Sequence, residues 1–352
     1  MSTPVPTTHE RYMRRCFDLA RLGAGQVSPN PMVGALLEYK GRVIGEGWHR
    51  QFGGPHAEVN CIDSVREDDR AFIPHATLYC SLEPCFHYGK TPPCVDLILR
   101  EKIGKVVIAN LDPNPKVAGQ SVEKLRAAGV EVIVDVLKEQ GAELNRYFFK
   151  WIRTGRPYVI LKWAQTADGF IGRESERTPI SGPAAMHLVH KWRSEVDAIL
   201  VGTKTALTDN PRLDIRHYFG KTPLRAVLDI AGKIPAGHFL LDDSTPTLVF
   251  GKTRAGDFKH TQFTGHKSTI DPEEIAEQIG AKGCAILLVE GGSVLHEQFI
   301  GQNAWDEIRI LTNKKRLGTG ISAPGLPPGA ALSESMAIGD DLVEVFRRVT
   351  VS

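Results

Sequence analysis

Residues 56–61 read HAEVNC and residues 82–94 read LEPCFHYGKTPPC, and together these strings decide the fold of the first half of the chain. One imidazole, His56, and two thiols, Cys85 and Cys94, supply three ligands of a tetrahedral Zn2+ site and leave the fourth position open. A structural zinc takes four protein ligands, so an open position marks a catalytic metal. Glu58 follows the ligand histidine by two residues, a spacing that suits a catalytic proton carrier beside an activated water. His/Cys/Cys on the metal with a non-ligand glutamate is the donor set of zinc-dependent base deaminases. Alone, each fragment is weak: His-x-Glu is common by chance, and two cysteines can be ordinary buried thiols. Their order along the chain, and their placement at the starts of helices, carry the reading.

Working outward, residues 8–23 have helical apolar spacing, and 33–39 with 42–49 read as a hairpin across Lys40-Gly41. A helix is expected over 56–67, a strand over 76–82, and a helix over 91–102 with prolines in its opening turn. His56 and Glu58 then fall in one first turn and Cys94 in another, where the helix N-terminus helps keep Cys94 a thiolate. Cys85 falls in the loop just past a strand. A strand at 105–110, a helix near 119–128, a strand at 130–135 and a helix running to about Trp151 complete the first half. This alternation implies a sheet covered on both faces. Eight residues, FHYGKTPP, separate the two cysteines, where most zinc deaminases have two. The longer loop brings His87 and Lys90 to the rim of the metal site. That basic pair suits an anionic substrate, or else belongs to a solvated loop.

At 352 residues the chain is long for one domain and comfortable for two, with a junction at Arg153–Pro157. Its 43 basic and 41 acidic residues nearly cancel, which gives no electrostatic reason to expect nucleic acid or an anionic membrane as partner. There is no apolar run of membrane-spanning length and no secretory-type leader in the first residues. Few, scattered cysteines suggest reduced thiols, so a cytoplasmic location is expected. The second half is again α/β, with strands at 157–166, 197–202, 224–229, 247–250, 285–290, 306–313 and 342–351. Helices are expected at 182–195, near 271–280 and near 293–301. It has no GxGxxG after a strand, so a Rossmann site is not indicated. Lys162 sits on the first strand, Asp209-Asn210-Pro211 is followed by Arg212 and Arg216, and Glu290-Gly291-Gly292-Ser293 joins a strand to a helix. Such a turn either brings backbone amides up to a phosphate or is an ordinary strand–helix connection.

PNPMVGALL, GEGWH, GGPHAEVNCI, LEPCFHYGKTPPC and DPNPKVAG resemble the deaminase half of the bifunctional riboflavin-biosynthesis deaminase–reductases, over residues 8–150. PYVILKWAQTADG, AILVGTKTALTDNPRLDIR and LLVEGGSVL resemble the reductase half, over residues 156–320. The resemblance implies an α/β chain with a cytidine-deaminase-like three-layer α/β/α zinc domain over 1–152. A dihydrofolate-reductase-like α/β domain over 153–352 follows, with Zn2+ and NADPH as cofactors. It implies hydrolytic deamination of a phosphoribosylated diaminopyrimidinone, then reduction of the ribosyl chain to ribityl. It also places Asn30, His49, His87 and Lys90 on the deaminase substrate, and Arg193, Leu213, Arg216 and Glu290 on the reductase substrate. Ala164, Thr205, Asp209 and the run Gly292, Ser293, Val294, Leu295, His296, Glu297 and Gln298 would face NADPH. Lys162 is the nominated reductase catalytic group, to polarise or protonate the reacting sugar. A homo-oligomer, dimer or tetramer, is expected. The chain departs from the family at Phe86 (commonly Ser), and where a Ser-x-Trp-Ile-Thr stretch becomes Arg177-Thr178-Pro179-Ile180-Ser181 behind a loop one residue shorter. The roles of that Ser and Trp are not carried over to Arg177 and Pro179. The second expectation is therefore a deaminase whose reductase-like domain is not catalytic.

Overall fold

Lys40 and Gly41 take φ angles of 47° and 82°, the two-residue turn whose twist matches that of the strands it joins. They connect β1 (Gly34–Tyr39) to β2 (Arg42–Trp48). The structure is a computed structural model that describes residues 7–86, 88, 92–174, 176–266, 268–269 and 271–349. His87 and Lys90 lie outside the described residues. The chain divides into two compact units, Met1–Thr154 and Gly155–Ser352.

The first unit adds α1 (Thr8–Arg21), α2 (Ala57–Asp63), β3 (Thr77–Cys80), α3 (Cys94–Arg100), β4 (Lys105–Ile108), α4 (Gln120–Ala127), β5 (Glu131–Ile133), α5 (Lys138–Leu144) and α6 (Arg146–Thr154). Its sheet runs β2-β1-β3-β4-β5, antiparallel through β3 and parallel beyond. Side chains alternate across the sheet as strand geometry requires. Leu36, Tyr79 and Val107 bury the apolar stripe of α1, namely Tyr12, Met13, Cys16 and Phe17. Leu37, Leu78, Val106 and Ile108 face the other way, onto Ala57 and Cys61 of α2, Val95 and Ile98 of α3, and Val122 and Leu125 of α4. This is the expected three-layer α/β/α arrangement.

At seven residues, α2 is too short to hold itself together. It is held by backbone-to-backbone packing on β2. A Cβ at Gly47 would stand 2.2 Å from the Cys61 amide nitrogen and 2.6 Å from the Ala57 carbonyl, and one at Gly45 2.6 Å from the Cys61 carbonyl. The glycines of GEGWH are a packing requirement, and they set where α2 begins.

Two local expectations are corrected. The helix expected from residue 91 begins at Cys94, with Pro93 as its N-cap, because the residue before a proline is driven out of the α region and Pro92 precedes Pro93. The single helix expected up to about Trp151 is two helices. They break at buried Asn145, whose side-chain amide accepts from the Met32 N–H at 2.8 Å and donates to the Met32 carbonyl at 2.9 Å.

The second unit comprises β6 (Tyr158–Thr166), β7 (Phe170–Gly172), α7 (Pro183–Ser194), β8 (Ala198–Val201), α8 (Thr203–Asp209), β9 (Leu224–Asp229), β10 (Thr247–Gly251), β11 (Thr261–Phe263), α9 (Pro272–Gly280), β12 (Ile286–Val289), α10 (Ser293–Gly301), β13 (Glu307–Asn313), β14 (Ile321–Ser322), β15 (Ala330–Ile338) and β16 (Asp341–Arg348). Nine strands form one sheet, β11-β10-β9-β8-β12-β6-β13-β16-β15, with every pairing parallel except the two that β16 makes. Leu161 and Trp163 of β6 pack into the core shared with α9 and α10. Ala164, of opposite parity, packs toward Val189 and Trp192 of α7. Lys162 shares that parity, so β6 carries it on the α7 side. The structure adds α8 and the strands β7, β11, β14 and β15 to the elements expected from the sequence, β15 being an edge strand laid on the closing strand β16.

Replacing Gly47 with alanine forces α2 off the sheet, so we expect a loss of about 1–3 kcal/mol in urea denaturation. Bound zinc should fall with it. Wild-type stability would show that the backbone contact is not limiting.

Candidate active sites

In the first unit His56 is the N-cap of α2 and Cys94 the first residue of α3. Cys85 and Cys94 Sγ each lie 3.4 Å from His56 Nδ1, and the three ligand atoms all lie within 4.8 Å of one another. A tetrahedral zinc with Zn–N near 2.0 Å and Zn–S near 2.3 Å has an N···S edge of about 3.5 Å. The cluster therefore has the size and the donor chemistry of a zinc site. The Cys94 amide N–H, at the start of α3, donates to Cys85 Sγ at 3.2 Å. That bond, the Cys94 thiol and His56 together hold the Cys85 thiol well below its ordinary range.

Glu58 is buried in the first turn of α2. Burial, and then the neighbouring Cys85, push its carboxyl above the usual carboxylate range. Asn30 and His49 are also brought to this side of the unit. His49 Nδ1 lies 3.0 Å from the Pro55 carbonyl, and Asn30 Nδ2 lies 3.2 Å from His49 Nε2. A carbonyl can only accept, so Nδ1 carries the proton and Nε2 accepts from the Asn30 amide. Burial lowers the His49 pKa and keeps the ring neutral in that tautomer. The His49 and His56 rings meet edge-on, with centroids 5.6 Å apart.

Three positioning residues were missed by sequence reasoning. Asn60 donates to the Trp48 carbonyl at 2.8 Å and the Pro55 carbonyl at 3.3 Å, pinning the loop that precedes His56. Asn145 anchors Met32 of the PNPM string. Glu83, two residues before Cys85, is buried and accepts from the Asp112, Gly119 and Ser121 N–H groups at 2.9–3.2 Å and the Ser121 hydroxyl at 2.6 Å. It joins the zinc loop to the DPNPKVAG loop. An acidic residue flanked by Leu82 and Pro84 was the one available signal.

In the second unit, Arg193 of α7 and Glu290 at the end of β12 form a buried bidentate pair, Nε–Oε1 2.9 Å and Nη2–Oε2 2.6 Å. Arg193 Nη1 also donates to the Asp214 carbonyl at 3.2 Å, so three of its five N–H donors are committed. Burial alone would raise Glu290, but Arg193 and Lys162 overcome it and hold the carboxyl at about 2. The Lys162 ammonium is lowered by burial, with Glu290 opposing that effect. Lys162, Arg193 and Glu290 thus form one electrostatic cluster.

Arg193, Asp209, Leu213 and Arg216 line an open cleft of about 420 Å3 together with Arg177 and Arg212. Thr205 stands against the Gly291-Gly292 turn: a Cβ on Gly291 would meet Thr205 Oγ1 at 3.0 Å. Gly292, at φ 72°, caps α10, so this turn presents backbone to an approaching group as a phosphate cradle does. The run from Ser293 to Gln298 does not share one face. Val294, Glu297 and Gln298 are exposed, while Leu295 and His296 point into the core. His296 Nε2 donates to the Val289 carbonyl at 3.1 Å and its ring packs on Trp163.

A model of the cytidine and deoxycytidylate deaminase zinc-binding region matches residues 6–110, and the RibD C-terminal domain matches residues 157–343, more than half of the chain. The riboflavin biosynthesis protein RibD of Aquifex aeolicus is 36% identical over 96% of this chain and 98% of its own length. The chain belongs to the RibD family of riboflavin biosynthesis proteins. The RibD of Actinobacillus pleuropneumoniae is 39% identical over 90% of this chain and 88% of that protein. Among solved structures, a deaminase/5-amino-6-(5-phosphoribosylamino)uracil reductase of Thermotoga maritima superposes with a TM-score of 0.87 at 34% identity, covering 97% of this chain and 99% of that one. A RibD of Acinetobacter baumannii gives 0.88 at 29% identity, with the same coverage. The RibD fold therefore extends over both units, and both domain types of the family are present.

Removing Arg193 strands a buried carboxylate, so Arg193→Met should cost about 3–5 kcal/mol. The pH dependence has a defined sign. Glu290 sits at about 2 against an ordinary 4.5, so its contribution is fully present above that ordinary value and is lost as pH falls through about 2. In Arg193→Met that contribution is absent, so the difference from the wild type should be largest near neutral pH and narrow as pH falls. Urea midpoints measured from neutral to acid pH check this, and a difference that stays constant with pH would refute it.

Proposed function

We propose that this chain carries out two consecutive reactions of riboflavin biosynthesis. The first is hydrolytic deamination of 2,5-diamino-6-(5-phosphoribosylamino)pyrimidin-4(3H)-one. The second is NADPH-dependent reduction to 5-amino-6-(5-phosphoribitylamino)uracil. The observation that carries the proposal is the convergence of His56, Cys85 and Cys94 on one point with Glu58 buried beside them, in a chain whose second unit matches the reductase domain.

His56, Cys85 and Cys94 hold zinc, which when bound acts as a Lewis acid that makes water a nucleophile near neutral pH. Glu58 takes a proton from the attacking water and returns protons to the ring nitrogen and the departing amine through the same carboxylate. Asn30 and His49 orient the pyrimidine, with Asn60 and Glu83 keeping the surrounding loops in place. His87 and Lys90 remain part of the proposal as contacts to the phosphorylated side of the substrate.

In the second unit, NADPH supplies the hydride when bound. Thr205, Asp209, Ala164 and the Gly292-Ser293 turn hold the cofactor. Arg193, Leu213, Arg216 and Glu290 orient the sugar. Glu290, kept ionised by Arg193, in turn keeps the Lys162 ammonium protonated so that it delivers a proton to the reacting sugar oxygen.

No helix among the described residues is long and apolar enough to cross a membrane, and all six cysteines are free; a cytoplasmic location accords with both. The nine-residue edge strand β15 is exposed along nearly its whole length, an open template for pairing with a second copy. We expect sedimentation of the 38.7 kDa chain to give an oligomer, and a monomer at micromolar concentration would remove that expectation.

Glu58→Gln should keep its zinc and lose about a hundredfold or more in ammonia release from the diaminopyrimidine. NADPH oxidation on deaminated substrate should be untouched. Wild-type ammonia release in this variant would refute the role of Glu58. Ammonia release without NADPH oxidation by the unmodified chain would leave a deaminase only.

A further inference from the structure

Four arginines, Arg177, Arg193, Arg212 and Arg216, line the second unit's cleft against one lining carboxylate, Asp209. Two of the four are neutralised: Arg193 by Glu290 and Arg216 by Asp214. Arg177 and Arg212 are exposed, and neither enters an ion pair among the described residues. Arg212 is nonetheless held in place. Its guanidinium lies 3.8 Å over the Phe239 ring. Phe239 is in turn fixed by its N–H, which donates to Asn210 Oδ1 at 2.9 Å, and Asn210 closes α8 in a left-handed conformation. A guanidinium stacked through its face keeps its in-plane N–H donors for a ligand. Arg177 opens onto the same cleft, where its charge reaches Asp209. Two uncompensated planar forks around one cavity match a phosphate monoester, which arginine binds bidentately.

We propose that Arg177 and Arg212 clamp a phosphate monoester in this cleft, with Arg177 setting the preference for phosphorylated over unphosphorylated ligand. The inference rests on the reductase reading of the second unit. Both reductants and substrates of this reaction carry the group: the sugar 5-phosphate of the substrate and the 2′-phosphate of NADPH.

The test is calorimetric titration of the full zinc-loaded chain with ribose 5-phosphate and with adenosine 2′,5′-bisphosphate, with ribose and adenosine as controls. In Arg177→Ser one of the two phosphorylated probes should bind about tenfold more weakly or worse, with partial recovery in Arg177→Lys. Loss confined to ribose 5-phosphate assigns the clamp to substrate, and loss confined to the bisphosphate assigns it to cofactor. The KM for that same ligand should rise in proportion while kcat moves little. Unchanged binding of both probes in Arg177→Ser, no binding of either probe to the wild type, or equal loss for ribose or adenosine would overturn the proposal. Failure of the reductase reading shows separately, as absence of NADPH oxidation by the wild type, because the titrations need no turnover.

Discussion

The backbone of α2 rests on the backbone of β2 with no side chain between them, and the geometry of the metal cluster follows from that contact. Because Gly45 and Gly47 let the helix down onto the sheet, the N-cap of α2 has one position, and His56 is that N-cap. The other two ligands reach the same point from the opposite direction. Cys94 opens α3, whose Val95 and Ile98 are locked into the same core layer as α2. Cys85 is held between a donor from the Cys94 backbone and the loop braced by Glu83. Ligands carried at element ends, with buried polar partners behind them, are held more precisely than ligands on free loops.

The second unit solves a different problem, which is how to keep charges inside an α/β core. Arg193 and Glu290 come from a helix and a strand end far apart in sequence. Neither would be tolerated there alone, because an unpaired buried ion costs several kcal/mol. Paired, they keep Glu290 ionised next to Lys162, where its charge opposes the burial that favours the neutral amine. Parity along β6 divides the labour: Leu161 and Trp163 build the core on one face, and Lys162 and Ala164 are left for the other.

Much of this was legible from local pattern. The β1–β2 turn is written in Lys40-Gly41, the layers in alternating apolar residues, and the metal cluster in residue types that have little other reason to recur in that order. What escaped notice depends on distant partners. Asn145 breaks a helix only because Met32 offers both a donor and an acceptor to its amide. Glu83 looks like a misplaced charge until residues 112–121 wrap around it. α8 is seven residues long and ends at Asn210, whose turn conformation is supported by the Phe239 amide. β15 has almost no buried face, so it carries no hydrophobic alternation to find. The seven-residue run from Gly292 to Gln298, contiguous in sequence, divides between a turn, a solvent face and a core face, so its side chains do not form one surface.

The tautomer of His49 has a consequence for the kind of ring the first site accepts. The Pro55 carbonyl accepts from Nδ1–H, so Nε2 is an acceptor and one of the two Asn30 amide N–H donors is spent on it. Asn30 keeps its second N–H, which donates, and its oxygen, which accepts. A single backbone carbonyl therefore fixes, through the imidazole, which way the Asn30 amide faces. What that amide still presents is one donor beside one acceptor, the complement of a heterocycle edge that carries a lone pair next to an N–H.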